Sequence, residues 1–142
     1  MTQDVPPSAT NIPSPSGQAP LVVGLDLGGT KMAAALVDVN GALQGPVSSC
    51  PTPAHDGPDA MLDAISALVQ KVATTGTHQD PGRAVPIIAV GVGTAGVVDV
   101  ESGTILSATD AITGWAGTQV AAGVRERLAA AGLGVLPVHV EN

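Results

Sequence analysis

The run Gly24-Leu25-Asp26-Leu27-Gly28-Gly29-Thr30-Lys31 gathers the groups most able to do chemistry in this chain. Two adjacent glycines let the backbone turn tightly and let a ligand approach without a Cβ in the way. Backbone N–H groups freed at such a turn can cradle phosphate oxygens. Thr30 adds a hydroxyl and Lys31 a positive charge. Asp26 adds a carboxylate that can hold magnesium through water or orient a transferring group. The stretch is not a Walker loop: G-x-x-x-x-G-K-[ST] is absent, and the residues after the turn read as a strand rather than a helix. Two readings stand on these residues alone. One is a Gly-Gly hairpin turn with a solvated Asp. The other is a phosphate cradle with a cation ligand beside it.

A second glycine-rich stretch, Gly91-Val92-Gly93-Thr94-Ala95-Gly96, matches G-x-G-x-x-G after an apolar run. A dinucleotide site needs a helix to open there, but "VVDVESG" is β-rich and then turns. The glycines are better read as shaping a loop at the carboxyl end of a central strand, where open α/β sheets bind ligands. Asp99 reads as structural, holding a loop, and Glu101 as solvated in a turn. Glu141 points away from the face of its neighbour Asn142 by strand alternation. His55 and His78 fall in loops and read as solvent-facing. His139, between Val138 and Val140, reads as a packed strand residue, and no pair of histidines has metal-ligand spacing. Trp115 reads as the anchor of a second helix. Cys50, beside Pro51 and without an identifiable partner, reads as an inert thiol.

The elements that must position these groups follow from periodicity. Leu21 to Leu27 is a short apolar run bounded by Pro20 and Gly28, the pattern of a buried strand. "KMAAALVDV" predicts a second strand. Asn40-Gly41 predicts a hairpin, so "ALQGPVSS" returns as a third strand interrupted near Gly45-Pro46. "PTPAHDG" is a loop. Pro58 opens a helix with Asp59 in its first turn, and Met61, Leu62, Ile65, Leu68, Val69 and Val72 recur at helical spacing, with Gly76 just past the end. "THQDPGR" predicts an exposed loop. "AVPIIAVGVG" predicts a central parallel strand covered on both faces. "VVDVESGTILSA" predicts a small hairpin turning at Glu101-Ser102-Gly103. Val120, Val124 and Leu128 stripe a second helix stopped by Gly132 or Gly134, and "VLPVHVEN" predicts the last strand. The fold class is α/β, β-β-β-α-β-α-β, with a mixed five-stranded sheet and flanking helices. That is the pattern of a ribonuclease-H-like or actin-like lobe.

Composition sets outer bounds. Residues 1–20 are rich in Pro, Ser and Thr and predict a disordered tail; residues 21–142 predict one lobe with one core. That tail lacks the basic start and apolar region of a secretory signal. No run approaches the ~20 apolar residues of a membrane span. A single Cys leaves no disulfide framework within the chain, so a cytoplasmic location is expected. The net charge of -7, with five Lys and Arg in all, argues against nucleic acid as a partner. One Trp and no Phe or Tyr leave almost no platform for base stacking.

Five separated blocks carry a resemblance: "GLDLGGTKMAAALVDVNG", "PTP", "GVGTAGVVDVESGTILSA", "GWAG" and "PVHVEN". Their order and spacing, from Leu21 to Asn142, resemble the ROK family (repressors, open reading frames and sugar kinases). The resemblance implies an actin-like N-terminal lobe of a glucokinase-like enzyme. Such an enzyme phosphorylates a hexose or N-acetylated hexosamine with ATP and Mg2+. It implies that Gly24, Leu25, Asp26, Leu27, Gly28, Gly29, Thr30 and Lys31 form the first phosphate-binding loop, with Asp26 meeting Mg2+ through water. Gly93 and Thr94 then belong to a sugar-lining loop. Asp110 falls in a sugar-contacting segment where many members carry Asn. Asn142 corresponds to an Asn that hydrogen-bonds sugar hydroxyls, just before the family's catalytic Asp.

The resemblance also implies a second lobe that brings the adenine pocket, further sugar ligands and a structural zinc site of His and several Cys. One Cys cannot build that zinc site. The expectation is therefore an N-terminal part of a sugar kinase, inactive alone for want of a general base, within an intact protein that is a homo-oligomer. Two other readings are a ROK transcriptional regulator lobe and a non-catalytic sugar-binding fragment. The acidic charge and the short Pro/Ser tail weigh against the regulator.

Overall fold

In the computed structural model, which describes residues 20–78 and 87–142, alternation along β1 (Leu21–Leu27) sorts its side chains into two sets. Leu21, Val23, Leu25 and Leu27 are buried, while Val22, Gly24 and Asp26 lie on the opposite face. β2 (Lys31–Asp38) runs antiparallel to β1 with Leu27 opposite Met32 and Leu21 opposite Asp38. The Gly28-Gly29-Thr30 segment is thus the connection of a hairpin. At the far end the Asp38 carboxylate accepts the amides of Asn40 (2.8 Å) and Ala42 (3.0 Å), while Gly41 takes φ +86°. The Ala42 and Asn40 amides, donating to it, hold the Asp38 carboxyl below its ordinary value.

The third strand is shorter than its sequence suggests. Leu43 makes an isolated bridge to Val37, and pairing resumes only in β3 (Ser48–Pro51), which runs antiparallel to β2. Between them lies Gly45-Pro46, where a proline has no N–H for the ladder.

β4 (Ile87–Thr94) lies parallel to β1 on its other side, and β7 (Val138–Glu141) lies parallel to β4. The sheet order is β3-β2-β1-β4-β7. It is the mixed five-stranded α/β sheet expected, with a hairpin-built antiparallel side and a crossover-built parallel side. β5 (Val97–Asp99) and β6 (Thr104–Ser107) form the small separate hairpin. Ser102 Oγ donates to Asp99 Oδ2 at 2.8 Å, and the Gly103 amide donates to the Asp99 carbonyl at 2.7 Å. Asp99 therefore holds the turn, as its position suggested. Gly103 has φ +71°, and a Cβ there would stand 2.3 Å from the Ala121 side chain.

Helix α1 (Pro58–His78) carries its predicted stripe inward: Met61, Leu62, Ile65, Leu68, Val69 and Val72 are all buried. Each large aliphatic side chain so buried contributes roughly 1.5–3 kcal/mol. The helix runs through Gly76, expected just past its end, and ends at His78, expected in the following loop. The rest of the predicted 77–83 loop and nearly all of the predicted tail lie outside the described residues. Helix α2 (Val120–Ala130) buries Val120, Ala121, Val124 and Leu128. Its stop is Gly132 at φ +91°: the Gly132 amide bonds Ala129 O at 3.1 Å and the Leu133 amide bonds Leu128 O at 3.0 Å. That paired closure satisfies the last carbonyls of the helix.

Both helices pack on the same face of the sheet, because they also touch each other. Gly123 permits the close approach: a Cβ there would lie 2.6 Å from Leu62 Cδ1. Arg127 bridges the pair, with Nε 2.7 Å from Asp63 and Nη2 3.5 Å from Asp59. The opposite face carries Val22, Gly24 and Asp26 from β1, Ala89, Gly91 and Gly93 from β4, and His139 and Glu141 from β7. His139 is therefore exposed, not packed as expected, and its Nε2 lies 3.3 Å from Glu141 Oε1. Strand alternation gave its period correctly, but the helices cover the other face.

Candidate functional site

The Gly-Gly turn sits at the carboxyl end of β1, beside the carboxyl ends of β4 and β7. The Gly28 amide donates to the Lys31 carbonyl at 3.0 Å. A Cβ on Gly28 would come within 2.7 Å of that oxygen, so packing of the turn itself demands glycine. Gly29 differs: its nearest neighbour for a Cβ is Ala111 Cβ at 4.0 Å, and its φ is not positive. Nothing in the fold requires glycine there.

Two carbonyls of the turn are held by one residue. Thr52 Oγ1 donates to Gly28 O at 2.8 Å, and the Thr52 amide donates to Thr30 O at 2.9 Å. The amides of Gly29 and Thr30 have no hydrogen-bond partner among the described residues, and both residues are exposed. Unpaired donors on consecutive residues of a turn suit an anion with several oxygens. Lys31 is exposed beside them. Asp26 is exposed on the open face, flanked in register by Ala33 and Gly93, and no hydrogen bond or ion pair holds its carboxylate among the described residues.

Facing the turn is a cavity of about 100 Å³ lined by Leu27, Gly29, Ala95, Gly96, Ala108, Thr109, Ala111, Ile112 and Trp115. Trp115, 1 % exposed, donates from Nε1 to Thr94 Oγ1 at 3.3 Å. The Thr94 hydroxyl donates to Ala95 O at 3.2 Å. Thr94 is thus buried beneath the loop, where it holds backbone. Asn142 Nδ2 donates to Gly96 O, joining the end of β7 to the same loop. Asp110 is exposed and does not line the cavity, whereas Thr109 and Ala111 on either side of it do. Gly93 lies between Asp26 and Glu141 in register, leaving open space between those two strand ends.

The segment after β3 ties the two walls together. Its Thr52 grips the turn, while its Ala54 carbonyl accepts the Thr113 amide at 2.7 Å. His55 Nδ1 lies 3.3 Å from Thr113 Oγ1. Sequence reasoning treated "PTP" as loop and missed Thr52. The available signal was a hydroxyl residue between two prolines directly after an edge strand. A larger groove, about 490 Å³, lies between the start of α1 and α2 and includes none of the site residues named from the sequence. Among the described residues no group of three or more His, Cys, Asp or Glu could hold a metal ion, and no helix is long and apolar enough to cross a membrane.

The chain is 34% identical over 122 residues to the glucokinase of Streptomyces coelicolor, an alignment covering 86% of this chain and 32% of that protein. It is 41% identical over 68 residues to the N-acetylmannosamine kinase of Shigella flexneri, covering 42% of this chain and 23% of that protein. The solved structure of a ROK family glucokinase from Streptomyces griseus, in complex with glucose and AMPPNP, superposes with a TM-score of 0.67 at 33% identity. That match covers 86% of this chain and 33% of the glucokinase. The chain therefore spans about a third of the length of the Streptomyces relatives it matches. The ROK family pattern itself matches residues 22–134. On that match, and on the sheet and loops it covers, the chain belongs to the ROK family.

Proposed function

We propose that the intact protein is an ATP-dependent sugar kinase, acting on a hexose or an N-acetylated hexosamine, and that this chain supplies its phosphate turn and one wall of its sugar site. The observation that carries the reading is the unpaired pair of amides at Gly29 and Thr30, set on a turn that faces a cavity at the carboxyl ends of the parallel strands. The donor set fits a polyphosphate: two free amides, the Thr30 hydroxyl and the Lys31 ammonium, with Asp26 free to meet Mg2+ through water. Bound Mg-ATP supplies the phosphoryl group and a counter-charge for its oxygens. The strand residues from Gly24 to Leu27 set the position of the turn. Gly93 keeps the approach open, Thr94 with Trp115 fixes the loop, and Asn142 meets the sugar from the loop's other side. Asp110 contacts the sugar only from the cavity's rim.

No carboxylate among the described residues is held in the cavity to take the proton of an attacking hydroxyl. Asp99 is committed to its turn and Glu141 pairs with His139. The chain by itself therefore binds without turning over. The relatives named glucokinase and N-acetylmannosamine kinase support both sugar classes. Cytoplasmic location, homo-oligomeric assembly of the intact protein and the absence of a nucleic-acid partner belong to the same proposal.

The test is an NMR titration of the 142-residue chain with Mg-ATP, glucose and N-acetylmannosamine, paired with a coupled ADP-release assay. The expected result is movement of the Gly29 and Thr30 amides with Mg-ATP and no sugar-dependent ADP release. Amides that stay still at millimolar nucleotide overturn the phosphate assignment. Sugar-dependent turnover overturns the claim of inactivity.

A further inference from the structure

We propose that Thr52 is the positioning residue of the Gly-Gly turn, fixing the peptide planes on either side of the Gly29–Thr30 peptide so that the Gly29 amide, with the Thr30 amide between the two held planes, stays free for phosphate. The inference rests on the phosphate reading of that turn. A two-residue hairpin ordinarily closes with two hydrogen bonds between its flanking residues. Here the Gly28 amide bonds the Lys31 carbonyl at 3.0 Å, but the Gly28 carbonyl is taken by the Thr52 hydroxyl at 2.8 Å. The next carbonyl but one, Thr30 O, is taken by the Thr52 amide at 2.9 Å. One residue thus satisfies two acceptors on either side of Gly29. The Gly28 carbonyl shares its peptide plane with the Gly29 N–H, so turning that N–H away from the cleft would break the bond to the Thr52 hydroxyl, while the Thr52 amide fixes the next plane but one, that of Thr30 O and the Lys31 N–H.

Thr52 is preset for this grip. Pro51 precedes it and Pro53 follows it. A residue before proline is confined to extended conformations, and the proline before it fixes its own φ. Pro51 ends the edge strand β3 opposite Lys31, which brings Thr52 level with the turn. Two residues on, the Ala54 carbonyl is fixed by Thr113. The segment is therefore anchored at both ends and needs no rearrangement to hold the turn. Thr52 acts through the turn and does not itself reach a ligand.

The variant Thr52→Val keeps the shape and the backbone amide but removes the hydroxyl; Thr52→Ser keeps the hydroxyl. The full chain, 15N-labelled, is titrated with magnesium tripolyphosphate, with thermal melting as a control. One lost hydrogen bond predicts about five- to tenfold weaker binding by Thr52→Val, and binding within about twofold of wild type by Thr52→Ser. Without ligand, the Gly28 to Lys31 amide signals shift in Thr52→Val and not in Thr52→Ser. The proposal is overturned if folded Thr52→Val binds like wild type, or if its ligand-free turn signals coincide with wild type. Should Thr52→Val not fold, Thr52→Ser decides: folded protein with several-fold weaker binding also overturns the proposal. A wild-type chain that ignores tripolyphosphate overturns the phosphate reading itself. The ligand-free signals distinguish that result from a Thr52 that does not hold the turn.

Discussion

At Gly28 a methyl group would stand 2.7 Å from the Lys31 carbonyl oxygen, inside any tolerable contact, and that oxygen is backbone and cannot swing away. At Gly29 the same methyl would meet nothing closer than Ala111 Cβ at 4.0 Å. The two substitutions separate structure from ligand binding at neighbouring positions. Gly28→Ala is expected to destabilise the fold by roughly 1–3 kcal/mol. Gly29→Ala is expected to leave stability within about 0.5 kcal/mol, or raise it slightly by stiffening the unfolded chain. On the proposed phosphate reading it is nevertheless expected to weaken Mg-ATP binding, because its methyl would enter the space in front of the Gly29 and Thr30 amides. Thermal melts and nucleotide titrations of both variants check this. A Gly29→Ala chain that melts like wild type and binds nucleotide like wild type would remove the ligand argument for that glycine.

At the scale of elements, α1 carries one feature that its amphipathic stripe conceals. Ser66 lies on the buried side, 2 % exposed, and its hydroxyl has no hydrogen-bond partner among the described residues. A buried hydroxyl left unpaired costs about 1–3 kcal/mol, and alanine is the better helix former. Ser66→Ala is therefore expected to stabilise the chain by about 1 kcal/mol, read as a higher midpoint in urea with an unchanged slope. A loss of stability would mean that the hydroxyl has a partner this arrangement does not show. Element boundaries were legible where a local cause sets them. Gly132 ends α2 because only a left-handed residue closes that helix terminus, and Asn40-Gly41 turns the second hairpin for a similar reason. They were less legible where causes compete. Gly76 reads as a terminator, yet α1 continues through it to His78. The third strand splits because Pro46 cannot pair, while its neighbours on both sides still can.

Over the whole molecule, one continuous cluster joins residues of both helices, of β1, β2, β4 and β7, Ile105 of the small hairpin, and Trp115. Trp115 is the chain's only tryptophan and lies in the cluster's interior. Its fluorescence should therefore be blue-shifted in the native state and should redden in urea together with loss of far-UV helical signal, one transition seen by both probes. Two separated transitions would show that the cavity wall around Trp115 unfolds apart from the helices. Much of this architecture was readable from the chain alone, because its causes are local. A short apolar run bounded by Pro20 and Gly28 placed Leu21 to Leu27 in a strand, helical spacing placed Met61 to Val72 on one face, and hairpin and crossover connections limited the sheet order. The run "LDLGGTK" likewise declared a tight turn, while leaving a plain hairpin and a phosphate cradle both open. The tertiary structure alone decided what surrounds it. Thr52 reaches Gly28 across 24 positions, Ala111 rather than Asp110 faces the cavity, and His139 falls on the face that the helices do not cover. Periodicity states how often a side chain returns to a face; only packing between distant segments states what that face meets.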